Sequence, residues 1–230
     1  MADTAGGVVA VIPARRGSQG LALKNLRLLN GLPLLVHSIR AATSARSVDT
    51  VIVSTEDDEI AAVAESNGAT VIRRPAELAT NTAQNNGVVR HVLESRNLID
   101  RVVVLLQPTS PLRMTADIDA CVLPVLSGEA KSAMTITAVD HHPGKAVVIE
   151  NGSIEPFTSD ADMEARRQTM REVFRQNGAV YAIGARDFID HDRFYLRPCR
   201  GVIVPADRSI DIDSEVQLQL AELILQNRSK

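Results

Sequence analysis

Residues 102–113 read VVVLLQPTSPLR, five apolar residues followed by a polar segment that two prolines stiffen. An unbroken apolar run of this length, bounded by a turn, reads as a strand buried on both faces, and such strands belong to parallel sheets. Outward from it, Val8–Ala14 (VVAVIPA) is a second run of the same kind, stopping at Arg15-Arg16-Gly17. Shorter strands are predicted at Thr50–Ser54, Ala69–Ile72 and Ser132–Val139. Helical spacing of apolar residues fills the intervals at Leu32–Ala45, Asp57–Ser66, Asn86–Ser95 and Asp117–Leu126, the last weakened by Pro124. Strands alternating with helices over the first 140 or so residues predict an α/β fold, a mostly parallel sheet with helices on both faces. Ligands of such sheets bind beyond the carboxyl ends of the strands, so the segments after Ala14, Ser54, Ile72 and Leu106 should surround one crevice.

The rhythm changes between about Asp140 and Gln176. His141-His142-Pro143-Gly144 is a turn, Val147–Ile149 a short strand, and Asn151-Gly152 a hairpin signal. This segment reads as an excursion from the sheet within a single domain of residues 1–230. Ala179–Ile183 returns to strand character, Ser209–Ser214 (SIDIDS) alternates, and Glu215–Gln226 is an amphipathic helix.

Composition narrows the class. Aromatic residues are 3% and Trp is absent, so aliphatic side chains must fill the core. With 25 Lys+Arg against 28 Asp+Glu, the chain is neither basic nor rich in stacking rings, which argues against a general nucleic-acid binder. No apolar run reaches the ~18 residues of a membrane span. Cys121 and Cys199 form no CxxC pair, and the N-terminus shows no basic stretch leading into an apolar signal core. A reduced, cytoplasmic protein is expected.

Two constellations carry chemistry. No acidic residue lies between Asp3 and Asp49, whereas Arg15, Arg16 and Lys24 share one loop with Gly17, Ser18, Gln19 and Gly20. Glycines let backbone approach an anion and the cations neutralise it, so the loop reads as a polyphosphate cradle or, failing that, a solvated basic turn. It is neither a P-loop nor a dinucleotide fingerprint. Asp211 and Asp213 flank Ile212, and in extended chain residues two apart face the same way. Two such carboxylates suit a hard divalent cation; alternatively Asp213 caps the last helix. The loop Gln107–Arg113 supplies Gln, Thr, Ser and Arg donors at a strand end.

With these residues in place the sequence resembles the CMP-sialic acid synthetases, or acylneuraminate cytidylyltransferases. The resemblance runs from about Val9 to Leu225 through seven ordered segments: IPARRGSQGLALKN (Ile12–Asn25), VIVSTEDDEIA (Val51–Ala61), RPAELA (Arg74–Ala79), LLQPTSPLR (Leu105–Arg113), HHPGK (His141–Lys145), FRQNGAVY (Phe174–Tyr181) and SIDID (Ser209–Asp213). It implies a Rossmann-like nucleotidyltransferase sheet. The implied reaction transfers CMP from CTP to the anomeric hydroxyl of a nonulosonic acid and releases pyrophosphate. Arg15 and Lys24 would bind the phosphates, with Arg16, Ser18 and Gln19 beside them, and Asn25 and Arg74 would hold the nucleotide. Gln107 would contact the sugar acid, Lys145 and Arg175 its carboxylate, and Tyr181, Phe194 and Tyr195 would line its pocket. Asp211 and Asp213 would hold magnesium, and the acceptor proton would pass to Asp211 or a metal-bound hydroxide. Residues 140–176 would be the family's dimerisation segment, lending Arg175 and Phe194 to the partner's site in a homodimer.

The sequence departs from the family pattern at Gln19, where relatives carry lysine, and at Asn81 and Gln217, where aspartate is frequent. Arg16 is an extra cation expected to compensate for Gln19. Two other readings stay open: a nucleotidyltransferase for another acidic sugar or a sugar phosphate, and a non-catalytic nucleotide- or sugar-binding homologue. A phosphate acceptor would want a denser basic cluster than Lys145 and Arg175, and an intact carboxylate pair argues against the non-catalytic reading.

Overall fold

Strand β1 (Val8–Pro13) shows why the sheet is covered twice. Val8, Ala10 and Ile12 join the core on one face while Val9 and Val11 join the core on the other, as period-two alternation requires. The computed structural model describes residues 6–17, 20–80 and 82–228, the side chain of Arg167 excepted. After β1 come a small hairpin, β2 (Leu28–Leu29) and β3 (Leu32–Pro33), and helix α1 (Leu34–Thr43). Then follow β4 (Thr50–Thr55), α2 (Asp58–Ser66), β5 (Thr70–Arg73), α3 (Asn85–Ser95), β6 (Val102–Leu105), α4 (Thr115–Leu126) and β7 (Ser132–Ala138). The excursion carries β8 (Val147–Glu150), β9 (Ser153–Pro156) and α5 (Asp160–Glu164). The chain returns through β10 (Phe174–Gly184), α6 (Ala185–His191), β11 (Cys199–Ile203) and α7 (Glu215–Arg228).

The main sheet has the order β11-β7-β10-β6-β1-β4-β5. All its pairings are parallel except the two made by β10, so the sheet is mostly parallel, as expected. Residues of α1, α2 and α4 pack on one face, those of α3 and α6 on the other. A third, smaller core forms where Ile212 and Leu218 meet Leu29, Leu34 and Leu112, fastening α7 and the segment before it beside the carboxyl ends of the strands. No described helix is long and apolar enough to cross a membrane.

Several expectations shift. Helix α1 starts at Leu34 rather than Leu32, because Leu32 and Pro33 pair with β2. Pro124 is accommodated inside α4. Ser209–Ser214, expected to alternate like a strand, forms no strand and joins no sheet; Ile212 instead donates its N–H to the Thr109 carbonyl at 2.7 Å. The Asn151-Gly152 turn forms as predicted, with φ of 51° and 83°, the left-handed pair that a two-residue hairpin needs. The excursion ends earlier than expected, because β10 begins pairing with β7 at Phe174. Helices α5 and α6 and strand β11 had no distinct sequence signal, being short and partly polar.

Candidate active site

A cavity of about 340 Å³ opens at the carboxyl ends of β1 and β6. Arg15, Lys24, Asn25, Arg74, Gln107, Asp211 and Asp213 all line it, so the structure brings together seven of the predicted site residues. They converge because each follows a strand end or lies on a segment pinned there. Asn25 donates from Nδ2 to the Arg15 carbonyl (2.8 Å), and Arg15 donates from Nη1 to the Thr80 carbonyl (2.6 Å). Gly20 has φ +87°, and a Cβ there would lie 2.5 Å from the Asp213 carbonyl, so only glycine lets the basic loop lie on the carboxylate segment.

Lys24 is largely buried, and its Nζ meets Asp213 Oδ1 at 2.6 Å. The helix-cap role considered for Asp213 falls instead to its neighbours. Ser214 Oγ accepts the Gln217 N–H (3.5 Å) and donates to Gln217 Oε1 (2.9 Å), and the same oxygen accepts the Asp213 N–H (2.8 Å). Gln217 thus has a capping task, which leaves the Asp213 carboxylate facing the cavity. Asp211 is half-buried. Burial pushes its carboxyl pKa up, as does Asp213, while Thr109, Lys24 and Arg175 pull it back. Its Oδ1 is buried with no hydrogen-bond partner.

Arg74 is deeply buried, donating to the carbonyls of Ser54 and, at 3.3 Å, Leu78. Burial lowers its pKa to about 10, with Glu56 opposing. Arg113, expected among the ligand donors, is withdrawn from the ligand: it is 4% exposed and binds the carbonyls of Ala179 (2.8 Å) and Gln107 and the Ser38 hydroxyl (2.5 Å). Burial lowers its pKa to about 9. It holds the Gln107 loop in place.

A second cavity, about 410 Å³, adjoins the first across Ala83, Asn85 and Gln107. Five carboxamides line it, from Gln84, Asn85, Asn86, Gln107 and Gln176, over a floor of Leu105, Tyr181 and Phe194. The Tyr181 and Phe194 rings lie 5.8 Å apart, and Phe194 packs at a tilt, 4.8 Å between centroids, on Phe188 of α6. Phe194 therefore sits in its own chain's crevice rather than on the excursion. Sequence reading named Gln107, Tyr181 and Phe194 here; the other carboxamides carried no signal beyond being polar.

The remaining predicted residues lie elsewhere. Arg16 points its guanidinium at Asp57 (2.5 Å) and Glu59 (3.7 Å), at the start of α2. Lys145 donates from Nζ to the carbonyls of Met163 (2.5 Å) and Ala165 (2.6 Å), closing α5. Arg175 is exposed, yet close enough for its charge to act on Asp211. Tyr195 lines a separate groove with Met134 and Arg197, whose Nε donates to its hydroxyl at 2.9 Å. Ser18, Gln19 and Asn81 lie outside the described residues.

The cytidylyltransferase family model matches residues 9–197. An N-acylneuraminate cytidylyltransferase of Escherichia coli is 30% identical over 224 residues, covering 97% of this chain and 53% of the relative. A CMP-N,N'-diacetyllegionaminic acid synthase of Legionella pneumophila is 30% identical over 227 residues, covering 95% of this chain and 96% of the relative. The chain thus spans about half the length of some curated relatives and nearly all of another. Among solved structures, a CMP:2-keto-3-deoxy-manno-octonic acid synthetase complexed with CTP superposes with a TM-score of 0.73 at 17% identity, covering 97% of this chain and 100% of that one, a likeness of fold. On the family match and these relatives, the chain belongs to the cytidylyltransferase family.

Proposed function

We propose that this protein transfers CMP from CTP to the anomeric hydroxyl of a nonulosonic, sialic-type acid, releasing pyrophosphate. The observation that carries this reading is the joining of two unlike cavities at Gln107, one cationic and carboxylate-bearing, the other lined by carboxamides and rings. Arg15 and Lys24 neutralise the triphosphate, and Asn25 and Arg74 hold the nucleotide against the ends of β1 and β4. The second cavity has no Lys or Arg among its lining residues, which suits the acylated ring of a sugar acid, with its carboxylate outside this cavity, better than a phosphate group. Names borne by the relatives from E. coli and L. pneumophila agree with such acceptors.

The unpartnered Asp211 Oδ1 beside a second carboxylate fits a divalent cation. Among the described residues there is no cluster of three or more His, Cys, Asp or Glu; magnesium, which keeps waters and substrate phosphates in its shell, would need from the protein only the carboxylate pair. Asp211 and Asp213 would hold it, and it would supply charge stabilisation at the phosphoryl oxygens. The charge of Asp211 acts on Tyr181 at the acceptor side and it feels Lys24 at the nucleotide side, which supports Asp211, or a hydroxide on the ion it would hold, as the group that takes the acceptor's proton.

We further assign residues 140–176 to the interface of a homodimer, with Lys145 and Arg175 near the acceptor carboxylate in that assembly, and residues 1–230 to one catalytic domain. The β8–β9 hairpin supports this with Ile149 at 77% and Ile154 at 68% exposure. Two free cysteines accord with a cytoplasmic enzyme. The test is pyrophosphate release from CTP and magnesium with a panel of nonulosonic acids. Turnover with at least one is expected; CTP binding without turnover on any would overturn the reading.

A further inference from the structure

Strand β10 does not run straight through the sheet. Gln176 stands opposite Ile136 and Tyr181 opposite Met134, so residues 177–180 of β10 face a single residue of β7, Thr135. Buried groups hold this bulge. Asn177, 2% exposed, accepts on Oδ1 from Thr135 Oγ1 (2.6 Å) and from the Ala179 N–H (3.2 Å), and Thr135 Oγ1 accepts the Val180 N–H (3.0 Å). From the crevice loop, Ser110 Oγ donates to the Asn177 carbonyl (3.4 Å) and Arg113 Nε to that of Ala179 (2.8 Å). The other half of the Asn177 amide points to a different element. Its Nδ2 donates to Ser209 Oγ at 2.9 Å, two residues before Asp211.

One buried side chain therefore ties both halves of the site together while lining neither cavity. Through the bulge it fixes Gly178, on which the Gln107 amide rests, and it aims Tyr181. Through Ser209 it fixes the segment that bears the carboxylates. We propose that Asn177 is a positioning residue that sets the spacing between Gln107 and Tyr181 on one side and Asp211 and Asp213 on the other. This rests on reading the crevice as a nucleotide site joined to an acceptor site. A carboxamide suits the place because it offers an oxygen for two donors and an N–H for a hydroxyl, which an ionised carboxylate cannot. A fully satisfied buried network specifies one arrangement, and in-line attack is sensitive to displacements of ~1 Å.

Two variants test it. Asn177→Leu removes both halves of the amide, whereas Ser209→Ala removes the link to the carboxylate segment together with the Ser209 Oγ donation to the carbonyls of Pro205 (2.9 Å) and Val204 (3.4 Å) and leaves the bulge network intact. Both should lower kcat about 10- to 100-fold per CTP-competent site, the usual scale for residues that orient a site from behind. CTP affinity, measured by calorimetry without acceptor, should stay within about threefold, and the losses in kcat should be less than additive in the double variant, since the two variants share the Asn177–Ser209 bond. Manganese affinity in the presence of CTP, read by paramagnetic resonance, should fall about tenfold in each. A lower melting temperature with kcat per competent site and manganese affinity unchanged would show a merely structural role and overturn the proposal, as would additive losses in the double variant. If Asn177→Leu does not fold, Ser209→Ala decides alone. If the unaltered protein binds CTP but turns over no acceptor, the functional reading fails, and manganese affinity still decides the role of Asn177.

Discussion

Gly178→Ala perturbs the acceptor side of the crevice at one point. Gly178 has φ +76°, and an added Cβ would stand 3.0 Å from Gln107 Oε1 and 3.3 Å from Ser110 Oγ. A left-handed conformation costs a non-glycine residue about 1–2 kcal/mol, which for a chain of this size lowers Tm by roughly 2–8 °C. Ser110 is fully buried and bonded to the Asn177 carbonyl, so the Gln107 amide is the group that yields, by a few tenths of an ångström. A displaced amide forfeits most of one hydrogen bond to the acceptor, about 1 kcal/mol, or roughly fivefold in kcat/KM. CTP binding without acceptor should be unaltered, because the phosphate cations lie in the other cavity. Thermal melts, steady-state pyrophosphate release with acceptor varied, and calorimetric titration of CTP measure the three terms. Weakened CTP binding with intact acceptor kinetics would refute the assignment of Gln107 to the acceptor, and an unchanged Tm would refute the strain.

Further outcomes are expected. Asp211→Asn should lower turnover ~100-fold while the melting temperature of the ligand-free protein holds or rises, since burial already disfavours that charge; unfolding with retained rate would be the contrary result. Burial, with Arg40 and Arg113 nearby, holds the His37 pKa down, and its Nε2 meets the Leu29 carbonyl at 2.9 Å. The unfolded chain then protonates first, so stability should be lost as pH falls through the unfolded value near 6.5 towards the lower folded value, and His37→Gln should flatten that slope in melts; an unchanged slope would remove His37 from the account. Ile149 and Ile154 face each other across the exposed hairpin, so Ile149→Lys with Ile154→Glu should keep the hairpin paired yet split the dimer in sedimentation; a dimer that persists would place the interface elsewhere.

Local patterns made much of this protein legible from sequence. The runs at Val8 and Val102, the strand–helix alternation and the Asn151-Gly152 turn depend on residues adjacent in the chain, and apolar periodicity and turn stereochemistry act over that range. Asp211 and Asp213 do line one cavity, as their spacing suggested, although the segment that bears them forms no strand and is held by the Ile212 N–H on the Thr109 carbonyl. What the tertiary structure alone decided was where long polar side chains ended. Lys24 found Asp213 across 189 positions, Arg113 found Ala179 across 66, and Arg16 turned from the basic loop to Asp57. The bulge at Asn177 was equally out of reach, because it arises from the register of β10 against β7. A buried donor must take whichever acceptors the folded backbone brings within about 3 Å, and sequence order does not state which those are.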